Sequence, residues 1–271
     1  MIIDAHTHIG DMGKDDRVVT VADLLESMDD AHIDMSLILA NDIIVPNDWH
    51  GVTADDVLTQ RAENERIKVI GNISISRDIK AQLMQLQSHI ETGAIVGIKM
   101  YPGYENFDST DKRLMPVYEF CQKLHVPVIL HTGFLLQGSS GIQEQAHPNS
   151  IGKIATLFPE ITIVMAHFGN PWTIEAAKII AQHQNVYADL SGFFTEYDEH
   201  ISLDEKADFQ QKMKEFVHIT GNLKKCLFGT DWPLYSQKEY LAAMQELPMN
   251  DEERELVFSK NAIKVFGLEK E

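Results

Sequence analysis

Apolar residues in this chain fall into short continuous runs, and each run ends at polar residues. The runs occupy about 1–8, 34–41, 69–75, 95–101, 127–132, 161–167, 186–191 and 226–231. They are mostly continuous rather than alternating, the pattern of strands buried on both faces of a parallel sheet. Between them the apolar spacing becomes helical, as at 21–25, 83–86, 117–120 and 174–177. Thr20 and Asp111 are candidate N-caps, Pro148 and Pro171 sit where helices should begin, and Gly93 and Pro127 follow expected helix ends.

Eight strand–helix units without a break in composition predict an α/β fold, a closed (β/α)8 TIM barrel forming a single domain over residues 1–271. The length suits that architecture, for which about 250 residues is typical. Residues 251–267 predict one or two short helices packed against the barrel exterior or base.

Composition narrows the partners. The chain is 44% hydrophobic with a net charge of -18. It carries no cluster of Lys and Arg to neutralise a phosphate backbone, which argues against nucleic acid and anionic membranes. Its two cysteines, Cys121 and Cys226, fit no metal or redox spacing and predict buried thiols in a reducing compartment. With a strand starting at Met1 and no apolar run near the ~18 residues a span needs, the expected location is cytoplasmic.

In a parallel barrel the active site lies at the C-terminal ends of the strands. His6 and His8 stand two apart on the first strand, so their side chains share a face. Three further runs end at His131, His167 and Asp231, and Lys99 and Asp189 lie at or near the ends of two more. Strands that each deliver a ligand-type residue to one rim predict a metal-dependent enzyme. Of the other histidines, His32, His89, His125 and His183 fall at expected helix ends, where the dipole favours them. His218 belongs to a helix, and His50, His147 and His200 to loops.

These segments together resemble the amidohydrolase superfamily, in particular its amidohydrolase-2 branch, which includes relatives of aminocarboxymuconate-semialdehyde decarboxylase. The resemblance rests on Asp4-Ala5-His6-Thr7-His8, Gly97-Ile98-Lys99-Met100-Tyr101-Pro102, Leu130-His131-Thr132-Gly133 and Ala166-His167-Phe168-Gly169-Asn170-Pro171. It continues through Tyr187-Ala188-Asp189-Leu190-Ser191-Gly192 and Gly229-Thr230-Asp231-Trp232-Pro233 to the closing segment Asn261–Leu268.

The resemblance implies that His6, His8, His131 and Asp231 bind a divalent ion, zinc most often, with manganese the alternative. His167 would be either a ligand of a second ion or an acid/base and carbonyl-polarising group. Lys99 leaves three readings open: an amine that binds a substrate carboxylate, a carboxylated bridge between two ions, or a member of an ion pair. Asp189 and Ser191 read as supporting residues. Such a site activates water, with Asp231 as proton acceptor, and hydrolyses a small-molecule amide, lactone or ester.

Decarboxylation of an unsaturated or aromatic acid is the alternative within the branch. A TatD-like nuclease would place a glutamate where Lys99 stands, and a non-catalytic binding protein would be missing ligands. A small, partly apolar substrate is expected, bound by the loops at 43–53, 102–111, 133–148 and 192–206, with Tyr104, Phe107, Phe193, Phe194 and Tyr197 as contributors. A homodimer is suggested by family analogy alone.

Overall fold

Each of the eight apolar runs forms a strand. A computed structural model describes residues 1–11, 18–43, 51–136, 138–194 and 200–268. The barrel strands are β1 (Ile3–Thr7), β4 (Met35–Leu39), β5 (Ile67–Asn72), β6 (Ile95–Met100), β7 (Val128–Leu130), β8 (Ile163–Met165), β9 (Val186–Asp189) and β10 (Cys226–Leu227). They pair in parallel in that order. Backbone bonds from Ala5 N–H to Phe228 O (2.9 Å), Asp231 N–H to His6 O (2.8 Å) and His8 N–H to Trp232 O (2.7 Å) join the last strand to the first. Two short strands that the sequence did not signal, β2 (Gly10–Asp11) and β3 (Val18–Val19), form an antiparallel ribbon beyond β1.

The crossover helices are α1 (Val21–Ala31), α2 (Ala54–Arg61), α3 (Ile79–Glu91), α4 (Met115–Leu124), α5 (Asn149–Leu157), α6 (Thr173–Gln182) and α7 (Leu203–Thr220), followed by α8 (Gln237–Gln245). Thr20 caps α1 as expected, in a reciprocal box with Asp23. Asp111 caps the single 3-10 turn that leads into α4. Pro148 immediately precedes α5, whereas Pro171 lies two residues before α6. His32, His125 and His183 occupy helix C-caps, and His89 lies in the last turn of α3.

Alternation along the strands divides the core in two. On β4, Leu37 and Leu39 point into the barrel while Ile38, with Ala40 just beyond the strand, joins the layer under the helices. The closing segment, α9 (Asp251–Glu255), a π-helical turn and α10 (Asn261–Phe266), fills the base. There Ala262, Val265 and Phe266 pack against Ile3, Leu37, Ile129, Val164 and Leu227. Burying each large apolar side chain contributes roughly 1.5–3 kcal/mol. The base is therefore sealed and the opposite rim is left for chemistry.

Cys121 and Cys226 are buried and unpaired. Among the described residues no helix is long and apolar enough to cross a membrane.

Candidate active site and metal centre

Two irregularities in the sheet aim the central residues. Asp4 pairs with Ser36 but Thr7 with Ile38, so β1 uses three steps where β4 uses two. Ala5, packed in the inner core, is followed by His6, whose ring also faces the interior. The same slip separates β5 from β6, where Val69 pairs with Ile95 and Gly71 with Ile98. After it Ile98 and Met100 join the outer layer, and Lys99 lines the cleft at the rim.

His6, His8 and Asp231 meet. Their ligand atoms form one compact group: His6 Nε2 is 3.2 Å from His8 Nε2, and Asp231 Oδ1 is 3.5 and 3.3 Å from the two. The far nitrogen of each ring is already committed. His6 Nδ1 donates to Asp189 Oδ2 at 2.9 Å, and His8 Nδ1 donates to Leu39 O at 2.9 Å. With each Nδ1 spent on an outer partner, the two Nε2 atoms turn toward each other and toward a carboxylate. These three buried atoms lie within 3.5 Å of one another, a spacing that suits ligands sharing one cation. Two imidazoles fixed by outer partners, with one carboxylate, are the chemistry of a divalent-metal site.

A second group, His6, His167 and Asp189, is also close enough to hold an ion. Its atoms, however, are satisfied by hydrogen bonds. The Ser191 hydroxyl donates to Asp189 Oδ1 at 2.5 Å and accepts from His167 Nδ1 at 2.9 Å. Asp189 Oδ1 also accepts the backbone N–H of His167 at 3.1 Å. Asp189 and Ser191 thus orient His6 and His167.

His131 belongs to neither group. Its Nε2 donates to Phe134 O at 3.0 Å, and its ring lies 4.9 Å from that of His167 and 4.7 Å from that of Tyr104.

The backbone is strained where the site is built. His167, Phe168 and Asp231 all take left-handed conformations, with φ of 58°, 49° and 66°. Such residues concentrate at functional sites. Gly192, at φ 71°, makes a close approach: a Cβ there would lie 2.7 Å from His167 Nδ1.

Burial sets the charge states. It raises the carboxyls of Asp189 and Asp231, but neighbouring imidazoles outweigh it and hold both well below the usual carboxylate range. The His6 and His131 imidazoles are lowered by burial, and His167 is lowered to about 3. The carboxylates are therefore ionised at neutral pH, and these three rings are neutral. Lys99 is fully buried, and its Nζ finds no hydrogen-bond partner among the described residues. Burial lowers its pKa to about 8, against the pull of Asp189 and Asp231.

The cleft above these residues is narrow, with about 50 Å³ of free space. Its floor holds His8, Lys99, His131, His167 and Asp231. Of the expected wall residues Tyr104 lines it, with Phe134 and Leu136. Tyr101, Asn170, Leu234 and Tyr235 also line it and were not picked out from the sequence. Phe107, Phe193 and Phe194 do not: they are buried in the outer core, where Phe193 and Phe194 pack on Phe209. His147 stacks on Trp172, and exposed His200 lies 3.9 Å from Glu239. His50 and Tyr197 lie outside the described residues.

A parallel barrel thus carries, at its C-terminal rim, clustered imidazoles and carboxylates close enough to hold a metal ion. The Amidohydrolase family profile (Amidohydro_2) matches residues 3–268, and the chain belongs to that family. No curated protein matches it in sequence.

Solved structures share the fold. A probable 2-pyrone-4,6-dicarboxylic acid hydrolase from Acinetobacter baumannii, with citric acid bound, is 17% identical (TM-score 0.69, 98% of this chain and 99% of that one). An amidohydrolase from Burkholderia multivorans with bound zinc is 16% identical (TM-score 0.74, 99% and 100%). A dihydroxybenzoic acid decarboxylase from Polaromonas sp. JS666, with manganese and the inhibitor 2-nitroresorcinol, is 15% identical (TM-score 0.73, 100% and 98%).

Proposed function

We propose that this chain is a divalent-metal-dependent hydrolase of a small-molecule amide, lactone or ester. The observation that carries the reading is the group of three buried ligand-type groups, His6 Nε2, His8 Nε2 and Asp231, beside a cleft. These residues would hold the ion, zinc by the preference of imidazole and carboxylate donors, with manganese as the alternative. His131 would join them if its ring gives up the Phe134 carbonyl. When bound, a divalent ion supplies Lewis acidity toward water and a carbonyl oxygen.

The chain's own residues do the rest. Ionised Asp231 accepts the proton of the attacking water and returns it to the leaving group. Ser191 holds the Nδ1 proton of His167, which leaves its other nitrogen as a neutral acceptor beside the cleft. Lys99 binds the polar end of the substrate as an amine. One ion suffices, because the second candidate group is already hydrogen-bonded internally. Two buried thiols suit a cytoplasmic setting.

Decarboxylation, the reaction for which the Polaromonas relative is named, is the rival reading. It requires an acid that delivers a proton to carbon, and an Asp231 held ionised by its neighbours is a better acceptor than donor. Two substrate panels separate the readings. One contains lactones, N-acyl compounds and dihydropyrimidine-type rings; the other contains unsaturated and aromatic acids. Turnover in the first supports hydrolysis, and carbon dioxide release in the second alone overturns it.

A further inference from the structure

We propose that residues 134–136 form a gate over the cleft, that Tyr104 is its latch, and that opening it both admits substrate and frees His131 for the ion. This deepens the metal-site reading above and rests on it, but not on which bond is broken in the cleft.

The closed cleft is too small for a small-molecule substrate. Its free space is about 50 Å³, against roughly 300–1,000 Å³ for pockets that hold such ligands. One wall must therefore move, and most walls are fixed. The Tyr101 hydroxyl donates to Ala40 O at 2.8 Å. On the same loop the buried Glu105 carboxylate accepts the hydroxyls of Ser74 and Ser76 at 2.5 and 3.0 Å. Asn170, Leu234 and Tyr235 are buried. Phe134, by contrast, is 53% exposed, and it is the one exposed side chain among the described lining residues.

The segment is built to swing. Its flanks are anchored, by Gly133 N–H to Ala146 O at 3.0 Å and by Ile142 N–H to Gly103 O at 2.8 Å. Gly133 and Gly138, with φ of 96° and 86°, bracket it with residues that absorb backbone rotation at low cost. Between them the segment is held down by single bonds to the rim. Phe134 N–H donates to Asn170 O at 2.8 Å, and Leu136 N–H to the Tyr104 hydroxyl at 2.8 Å.

His131 couples the gate to the metal. Its Nε2 donates to Phe134 O at 3.0 Å, and a ring nitrogen cannot donate to a carbonyl and bind an ion at once. When Phe134 swings out, the ring proton passes through solvent to Nδ1, and the Nε2 lone pair becomes available to the ion. Gate closure and ligation by His131 thus compete for one nitrogen, and a zinc ion that recruits His131 loosens the gate.

The test is hydrogen exchange of the full-length protein, read by mass spectrometry with and without zinc, beside zinc affinity measured by chelator competition. Zinc is expected to speed exchange in the peptide spanning 133–142 by about threefold or more, the contribution of one neutral hydrogen bond, while barrel-strand peptides do not speed up. Tyr104→Phe keeps the ring and removes the latch. Zinc affinity should then rise by about threefold or more, because less closure has to be undone. A residue that only supports the wall would lower zinc affinity on losing its hydroxyl, or leave it unchanged. His131→Ala should bind zinc more weakly and abolish the effect of zinc on exchange. The wild-type comparison decides even if the variants do not fold. Exchange that zinc slows or leaves unchanged overturns the proposal, and so does a Tyr104→Phe affinity at or below that of the wild type. Absence of zinc uptake overturns the metal-site reading and the gate together, whereas uptake without faster exchange overturns the gate alone.

Discussion

The Asp4 carboxylate accepts the backbone N–H of Thr230 at 3.0 Å and the Thr230 hydroxyl at 2.6 Å. Gln237 Nε2, at the start of α8, adds a bond at 2.8 Å, and the His6 N–H another at 3.2 Å. One buried carboxylate thus joins the segment carrying His6 and His8 to the segment carrying Asp231. Asp231 sits at φ 66°, a conformation that costs about 1–3 kcal/mol and persists only when its surroundings over-determine it. The bonds from Thr230 to Asp4, and from the Asp231 N–H to His6 O, provide that constraint.

Asp4→Asn should therefore weaken metal binding, because an amide nitrogen would face the Thr230 or Gln237 donors. Zinc affinity is expected to fall about 10–100-fold, as for other outer partners of ligands. Thr230→Ser should keep near-normal affinity and Thr230→Val should not. Competition with a chromophoric chelator measures this, alongside thermal melts. A lower melting temperature with unchanged zinc affinity would show that Asp4 supports the fold alone.

Asp231→Asn should abolish turnover and leave the fold intact. Asn keeps the shape but offers no basic oxygen, and a loss of at least ~10²-fold is expected. Rates must be compared at matched metal occupancy, because Asp231 also belongs to the ligand group. A metal-loaded, nearly fully active variant would remove Asp231 from the chemistry.

Gly192→Ala should displace His167. The added Cβ would lie 2.7 Å from His167 Nδ1, at a φ of 71° that Ala adopts poorly. The Ser191–His167 bond would lengthen or break, so kcat should fall by about tenfold or more while zinc content stays normal. Elemental analysis with steady-state kinetics separates the two quantities. An unchanged kcat would mean that His167 has no part in turnover.

The barrel was legible because parallel strands buried on both faces leave a strong apolar signature, and all eight runs became strands. Convergence of His6, His8 and Asp231 was legible too, since their strand ends share a rim. The strand ends themselves were not. The pattern extends β8 through His167 and β10 through Asp231, yet the ladder stops at Met165 and Leu227. Beyond those points the chain turns left-handed at non-glycine residues, which leave no mark in the composition. The bulges that turn His6 and Lys99 inward depend on how neighbouring strands pair, and no single strand reveals this. Which nitrogen of each ring is free likewise depends on distant partners, Asp189 for His6 and Leu39 O for His8. The Asp4 clamp spans 226 positions of sequence to Thr230 and leaves no local signal for the same reason.

Carboxylate binding by the Lys99 amine, probed with benzoate, should be lost on the alkaline side. Burial lowers the Lys99 pKa to about 8, while Asp189 and Asp231 hold it from falling further. The protonated amine is the form that attracts a carboxylate, so affinity is present below that pH and disappears as pH rises through it. Benzoate binding to chelator-treated protein should be flat between about pH 6 and 7.5, then weaken toward tenfold per pH unit above about 8. Zinc loading adds a nearby positive charge, which favours the neutral amine and moves the fall to lower pH. Benzamide carries no charge and should show no such fall. A benzoate profile that stays flat to about pH 9.5, or a benzamide profile with the same decline, would mean that Lys99 is not the group being titrated.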